Sequence, residues 1–420
     1  MEKDTNKPTL QGFVQAIRDQ GNIIFLILRN RKGLMQGVVL KSETEAFEIA
    51  KNLTTESIVE IYGEIKEEKQ APGGKEIKVE KIIVLSKADP ELPIPVVSIK
   101  GGEETNQPTR LDWRWIDLRK PEKLKTFRLW TELERGFRDY YEEEDYIQFY
   151  SPSFMSAPSE SGAEVFKVPY FDKTAYLAQS PQFYKQMALA AGFEKVFTFG
   201  PVFRAEPSFT TRHSTEFTSW DVELAFVKSH HDPMDEEEKM LVKAFERAKK
   251  AGFDVEIPQR PFPRIPMAEV KKRLEEKGIT SEKEHDLSPE EEREFSKIIK
   301  EETGHDFVFL IDWHISARPF YHMRHEDNNE LTKSFDLLYR GIEITTGAQR
   351  EHRPEVLSKQ ALEKGMSLES IADYLNFFKY GCPPHGGFAL GPARLVMKIL
   401  ELENIREATF LPRDIKRLTP

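Results

Sequence analysis

The sequence predicts an α+β chain in two parts. A small N-terminal β-barrel of OB-fold order comes first, then a larger part in which long helices alternate with strands. Three observations predict it. Before residue 90, five short apolar or alternating runs are separated by turn residues, with one helical run after the third. Residues 88–110 hold four prolines and two glycines with little periodicity, and read as a linker. From residue 111 onward, long helical stretches are set between strands.

The barrel strands follow in order. Residues 11–17 are the first. Residues 23–28, IIFLIL, are a continuous apolar run that ends in the charged turn 29–33. Residues 34–40 are the third. Residues 42–53 place Ala46, Phe47, Ile49, Ala50 and Leu53 at helical spacing, with Ser42 predicted as N-cap and Glu45 three residues on. Residues 58–66 and 76–85 alternate as strands four and five, joined through Pro72-Gly73-Gly74.

Beyond the linker, 124–141 is a helix with one aromatic and aliphatic face, and 145–230 is strand-rich. Residues 232–305 carry two charged helical stretches around PQRPFPRIP, which is predicted to be irregular. Residues 307–352 return to strands, 355–380 are helical, and the end runs strand, helix, then extended tail.

The 420 residues carry 61 Lys+Arg against 71 Asp+Glu, a formal net charge of -10. Residues 1–90 are balanced, so the whole excess lies in the remainder. The acidic total argues against non-specific nucleic-acid binding but leaves room for local basic patches. The single cysteine, Cys382, excludes an intramolecular disulfide and points to a reducing compartment, so a cytoplasmic location is expected. No apolar run approaches the roughly 18 residues of a membrane span. The start MEKDTNKPT lacks the apolar stretch of a signal peptide.

Four segments carry candidate chemistry. In 196–226 two alternating strands flank a polar loop. Arg204 and Glu206 share a face of the first, and Ser219, Asp221 and Glu223 share a face of the second, opposite Trp220, Val222 and Leu224. Arginine forks such as Arg204 and Arg212 suit phosphate and carboxylate oxygens, although cross-strand ion pairs on a solvated face would use the same residues. In AQSPQFYKQ, Gln182 and Lys185 lie three apart at a helix start, with Pro181 predicted at the first helical position. In YRGIEITTGAQR, Glu343 is predicted on a strand with Gly341 and Thr345 on its face, Gly347 ending the strand and Arg350 following. Its carboxylate near hydroxyls suits Mg²⁺, or equally a structural Glu–Arg pair. In GGFALGPARLVMKILEL a glycine-punctuated strand enters an apolar helix, with Arg394 near its start. His314, His322 and His325 lack a ligand spacing and are read as surface or substrate-loop residues.

Together these segments resemble the class II aminoacyl-tRNA synthetases, and among them the aspartyl-tRNA synthetases of the archaeal/eukaryotic type. The resemblance runs nearly the whole chain. It rests on Pro152 after the long helix (motif 1), FRAE…TTRHSTEF (motif 2), QSPQFYKQ, KSFDLLYRGIEITTGAQREH, PPHGGF, Arg394 at the end of the glycine-rich strand (motif 3), and the terminal FLPRDIKRLTP. It implies an anticodon-binding OB-fold over 1–90, a hinge over 91–110, and a class II catalytic domain over 111–420 with a helical insertion about 232–305. That domain would be an antiparallel sheet flanked by helices, in a homodimer formed through motif 1. The implied reaction joins L-aspartate to tRNA(Asp), and on one reading also to tRNA(Asn), through aspartyl-adenylate made from ATP with Mg²⁺.

Carried over by position, the resemblance makes Arg204, Arg394 and Glu343 catalytic. ATP would lie against Arg204, Ala205, Glu206, Arg212, His213, Ser214, Glu343, Gly391, Pro392, Ala393 and Arg394. Mg²⁺ would sit on Glu343 and Thr346. Aspartate would be held by Glu160 in the loop SESGAE, by Gln182, Phe183, Tyr184 and Lys185, and by Arg204, Asp221, Thr346 and Arg350. Anticodon bases would meet Gln15, Arg18, Phe25 and Gln36. Phe25 could instead be barrel core.

Three positions depart from the family pattern. Ala393 stands where an acidic residue usually precedes the motif 3 arginine. Ser161 stands where glycine is common. Gln15 replaces a Trp or His that bears on tRNA choice. The alternatives are an asparaginyl-tRNA synthetase, which KSFDL and TSWDVE speak against, a non-catalytic tRNA-binding paralogue, and an amide-forming relative, which usually lacks the barrel.

Overall fold

The computed structural model describes residues 8–97, 103–160 and 164–420. Ser161, singled out above, lies outside them. The chain divides into two compact units, Met1–Lys120 and Pro121–Pro420.

In the first unit, β1 (Leu10–Asp19), β2 (Ile23–Asn30), β3 (Gly33–Leu40), α1 (Thr44–Lys51), β4 (Ile58–Glu67) and β5 (Lys75–Ser86) follow in order. The strands close a barrel in the order β1-β2-β3-β5-β4, with β3 and β5 parallel and β1 sealed against β4. Ile24, Leu26 and Leu28 alternate into its core, with Val14, Val39, Ile61 and Val79, and α1 adds Ala46, Phe47 and Ala50. Ser42 is not the N-cap. The Glu43 N–H donates to the Leu40 carbonyl at 2.9 Å, which places Ser42 inside a turn and makes Glu43 the cap. The unit ends in α2 (Gln107–Asp112) and α3 (Arg114–Asp117), so part of the stretch read as linker is helical. The buried carboxylate of Asp117 holds them together by ion pairs to Arg110, Arg114 and Lys120 at 3.0–3.3 Å.

In the second unit α4 (Pro121–Glu143) leads into the short β6 (Ile147–Gln148). Next come β7 (Phe154–Met155), β8 (Lys167–Tyr170) and β9 (Lys173–Leu177), a small sheet of order β7-β9-β8, then α5 (Gln182–Ala190). The chain continues through β10 (Lys195–Phe203), β11 (Glu216–Ala225), α6 (His231–Lys250), β12 (Arg264–Pro266), α7 (Met267–Glu276), α8 (Pro289–Thr303), β13 (Phe307–Ile311), β14 (Ser334–Tyr339) and β15 (Ile342–Arg350). It closes with α9 (Pro354–Glu363), α10 (Ala372–Lys379), β16 (His385–Leu390) and α11 (Pro392–Ile399).

The main sheet has eight strands in the order β12-β13-β14-β15-β16-β11-β10-β6. The six inner strands are antiparallel, while β12 and β6 pair in parallel at the edges, so the sheet is mixed and not purely antiparallel. β12 lies within the PQRPFPRIP stretch expected to be irregular. Its terminal Pro266 is tolerated because the strand is at the sheet edge.

Leu129, Leu133 and Phe137 of α4 and Leu241 and Phe245 of α6 cover one face, where Trp220 meets Phe137 edge-on at 4.5 Å. α7 and α8 cover the other face over Val308, Leu310 and Leu338.

Two sequence expectations on β15 fail. Gly347 does not end the strand, which runs on to Arg350. A Cβ there would lie 2.2 Å from the Phe335 ring and 2.8 Å from the Gly387 carbonyl oxygen, so glycine permits close approach to both neighbouring strands. Thr345 does not share the face of Glu343. The register shifts at Leu337/Leu338, with Ile344 unpaired, and this bulge puts Thr346 beside Glu343 and turns Thr345 into the interior.

Candidate active site

Alternation on β11 places Ser219, Asp221 and Glu223 on one face and Trp220 and Val222 in the core. The first turn of α5 lies against that face. Pro181 is its N-cap and not its first residue, and its carbonyl accepts from the Tyr184 and Lys185 N–H groups. Helical phase then sets Gln182 and Lys185 on one side. Lys185 is fully buried, its Nζ 3.0 Å from Asp221 Oδ1 and 3.3 Å from Glu223 Oε2. Phe183 and Tyr184, also assigned to aspartate, turn their side chains to other neighbours. The Phe183 ring stacks on Tyr374 at 3.9 Å, and the Tyr184 hydroxyl points to the Phe154 carbonyl.

Arg350, last in β15, donates from Nε to Glu223 Oε1 at 2.9 Å and from Nη2 to Glu223 Oε2 at 3.4 Å and the Gly387 carbonyl at 3.0 Å. Its Nη1 lies 3.0 Å from His322 Nε2. Burial alone would raise the Glu223 pKa, but Arg350 and Lys185 outweigh it and hold the carboxyl below its usual range. Gly387 leaves room for this carboxylate, because a Cβ there would meet Glu223 Oε2 at 2.5 Å. Buried Gln182 Nε2 has no hydrogen-bond partner among the described residues. Glu160 closes the cluster, accepting from Ser180 Oγ at 2.8 Å and from the Tyr321 hydroxyl at 2.7 Å.

An open pocket adjoins Ser219. Of the residues assigned to ATP, Arg204, Glu206, Arg212, His213, Ser214, Glu343, Gly391, Ala393 and Arg394 line it, together with Thr346. Ala205 and Pro392 do not. The Ala205 N–H donates to the Glu164 carbonyl, and Pro392 is buried as the first residue of α11. Arg204 follows directly on β10, half-exposed, 3.7 Å from Glu206 and over the Phe217 ring. Arg394 Nη1 donates to the Glu343 carbonyl at 2.8 Å and its Oε1 at 3.3 Å, and Thr346 Oγ1 donates to that same Oε1 at 3.3 Å. Burial, with Arg394 and Arg212 nearby, pushes the His213 pKa down. Ala393 is buried against the main core, which accommodates its methyl where an acid was expected.

Two residues that sequence reading passed over, and one that it read as surface or substrate loop, lie close to these groups. Glu292 of α8 pairs with Arg212 at 2.6 Å, and burial raises its pKa. Asp336 is gripped by both Nη atoms of Arg318 at 2.9 and 2.7 Å, and burial pushes it up to about 6. An aspartate inside the wholly buried strand SFDLLY was the available signal for it. Glu292 carried no such signal, because it sits in a run of glutamates that reads as a solvated face. His322 is the third. It is buried against Arg350 and so is not a surface residue, while His314 is half-buried and His325 pairs with Asp312 at 2.8 Å.

On the barrel, Arg18 and Phe25 sit opposite each other on β1 and β2. Phe25 alternates with the core residues Ile24 and Leu26 and lies outside with Gln36, which donates to Glu76 at 2.9 Å. Gln15 occupies a bulge, and its Oε1 accepts from Arg29 at 3.2 Å.

Known proteins resemble this chain over nearly its whole length. Residues 106–415 match the family of tRNA synthetases class II (D, K and N), and residues 9–85 match the OB-fold nucleic acid binding domain. The chain belongs to the class II aminoacyl-tRNA synthetases. It is 45% identical to the aspartate-tRNA(Asp/Asn) ligase of Aeropyrum pernix, over 97% of this chain and 94% of that one. It is 38% identical to the aspartate-tRNA(Asp) ligase of Pyrococcus abyssi, over 100% and 97%. The asparaginyl-tRNA synthetase of Pyrococcus horikoshii complexed with asparaginyl-adenylate superposes with a TM-score of 0.89 at 33% identity, covering 98% and 95%. Within the class, the chain falls in the aspartyl/asparaginyl-tRNA ligase subfamily of archaeal/eukaryotic type, and it is an enzyme that ligates one of these amino acids to tRNA. Among the described residues, no helix is long and apolar enough to cross a membrane.

Proposed function

We propose that the enzyme activates L-aspartate with ATP and transfers it to tRNA(Asp). The observation that carries this is the buried pair Lys185 and Arg350. Both can only donate hydrogen bonds. A side-chain carboxylate offers them acceptors alone, whereas the NH₂ of asparagine would set donor against donor. A site built for one of these groups rejects the other by about 10⁴-fold.

In this reading Asp221 and Glu160 take the substrate ammonium, Gln182 Nε2 takes a substrate oxygen, and Arg204 bridges the α-carboxylate and the α-phosphate. A carboxylate oxygen attacks the α-phosphorus, the bond to the bridging oxygen breaks, and pyrophosphate leaves. Arg394 and Arg212 stabilise its charge. The tRNA 3′-terminal hydroxyl then attacks the aspartyl carbonyl, losing its proton as AMP departs. One carboxylate (Glu343) beside one hydroxyl (Thr346) suits Mg²⁺, which keeps water and phosphate ligands and would spread the triphosphate charge.

The barrel over 1–90 reads the anticodon through Arg18, Phe25, Gln36 and Gln15, with 91–110 as hinge and 111–420 as catalytic part. Because Gln15 is neither Trp nor His, tRNA(Asn) is the second tRNA to test. The exposed side chains of Tyr150 and Phe154, beyond the motif 1 helix, support a homodimer, and the single cysteine supports a reducing compartment such as the cytoplasm. Pyrophosphate exchange with aspartate and asparagine side by side tests the amino acid, and faster exchange with asparagine would overturn the choice.

A further inference from the structure

We propose that His322 is a positioning residue for Arg350, setting the direction of the one guanidinium N–H left for the substrate. The proposal rests on the reading of Arg350 as the side-chain anchor.

A guanidinium has five N–H groups in one plane. Nε and Nη2 of Arg350 spend three of them on Glu223 and the Gly387 carbonyl. Nη1 spends one on His322 Nε2 at 3.0 Å. Its second hydrogen has no partner among the described residues. The two hydrogens of Nη1 are fixed relative to each other, so an acceptor on one aims the other.

Because Arg350 can only donate, His322 Nε2 must accept, and the ring must be neutral with its proton on Nδ1. The surroundings favour the neutral ring, while buried Nδ1 has no hydrogen-bond partner among the described residues. Burial first, then Arg350, Arg318, Lys364 and Lys185, hold the imidazole pKa well below its ordinary value. A neutral acceptor also leaves the charge of Arg350 uncompensated on that side, where a third carboxylate would quench it. His322 is held in turn by its backbone. It bridges to Arg350, and the His322 carbonyl accepts from buried Gln360 at 3.1 Å.

The experiment is steady-state pyrophosphate exchange with varied aspartate and varied ATP, on the full chain and on His322→Leu and His322→Gln. The Gln side-chain oxygen can accept from Nη1, and Leu cannot. Leaving a buried charged donor unpaired should raise the aspartate KM about tenfold or more. The ATP KM should stay put in the Leu variant, and His322→Gln should recover most of the loss. If His322→Leu does not fold, His322→Val removes the acceptor with a smaller side chain and gives the same comparison.

An aspartate KM within about twofold of wild type in the apolar variant would overturn the proposal. So would a Gln variant as impaired as the Leu variant, or aspartate and ATP KM rising together. Wild-type protein that exchanges with asparagine and not aspartate would overturn the proposed function instead, and the His322 comparison would then be read with asparagine.

Discussion

The ammonium of Lys185 lies 3.0 Å from the carboxylate of Asp221, and both side chains are buried in the sheet face that adjoins the pocket lined by Arg204 and Arg394. Glu223 and Arg350 continue the cluster, so two cations and two anions share one enclosed site. Glu223 pairs with both cations and Asp221 with Lys185, and removal of any one is expected to cost both stability and selectivity.

Lys185→Met should therefore unfold more easily by about 3–5 kcal/mol, because Asp221 and Glu223 lose a buried partner. It should also lose most of its preference for aspartate over asparagine. Denaturant titration and paired exchange assays measure the two effects, and an unchanged preference would show that Lys185 does not read the side chain.

Arg204 is half-exposed, with a loose contact to Glu206 and its guanidinium over the Phe217 ring. Arg204→Ala should lower adenylate formation by about 10²–10³-fold, the usual scale for one electrostatic stabiliser. Stability should change by no more than about 0.5 kcal/mol, as for ordinary surface substitutions. Adenylate formation near wild type would remove Arg204 from the chemistry.

Gly347→Ala introduces a methyl 2.2 Å from the Phe335 ring and 2.8 Å from the Gly387 carbonyl oxygen. Neither can retreat inside a paired sheet, so a loss of about 1–3 kcal/mol or more is expected by overpacking. Thermal melting checks it, and an unchanged Tm would mean the strands part more easily than their pairing implies.

Glu237 of α6 is fully buried, with the Thr345 hydroxyl near its carboxyl lowering the pKa less than burial raises it. Burial, reinforced by Glu238 and Asp336, pushes its pKa up to about 8 from 4.5. The folded state thus prefers the protonated acid. That advantage is complete below the unfolded value of 4.5 and is lost as pH rises through about 8. Glu237→Gln should be more stable than wild type at the alkaline end and flatten the dependence, as followed by denaturation across this window.

Gln15 sits in the barrel, which forms a separate compact unit from the sheet. Gln15→Ala should alter the relative charging of tRNA(Asp) and tRNA(Asn) and leave pyrophosphate exchange unchanged. A shift in exchange would show that its role is not confined to tRNA choice.

Much of this protein follows from residue pattern alone. Period-two alternation in 58–66 and 76–85 is enough to predict strands, and it also predicts the face that Asp221 and Glu223 share on β11. Both are local consequences of the pleat. What the linear chain cannot express is which distant residues meet. A bulge at Ile344 decided that Thr346, and not Thr345, joins Glu343. Pairing across the sheet decided that Gly347 is a point of contact and not an end. Burial excluded the surface reading of His322, left open beside a substrate-loop one, and set it next to Arg350. In each case the deciding quantity is a through-space distance set by strand register, and register is a property of the assembled sheet.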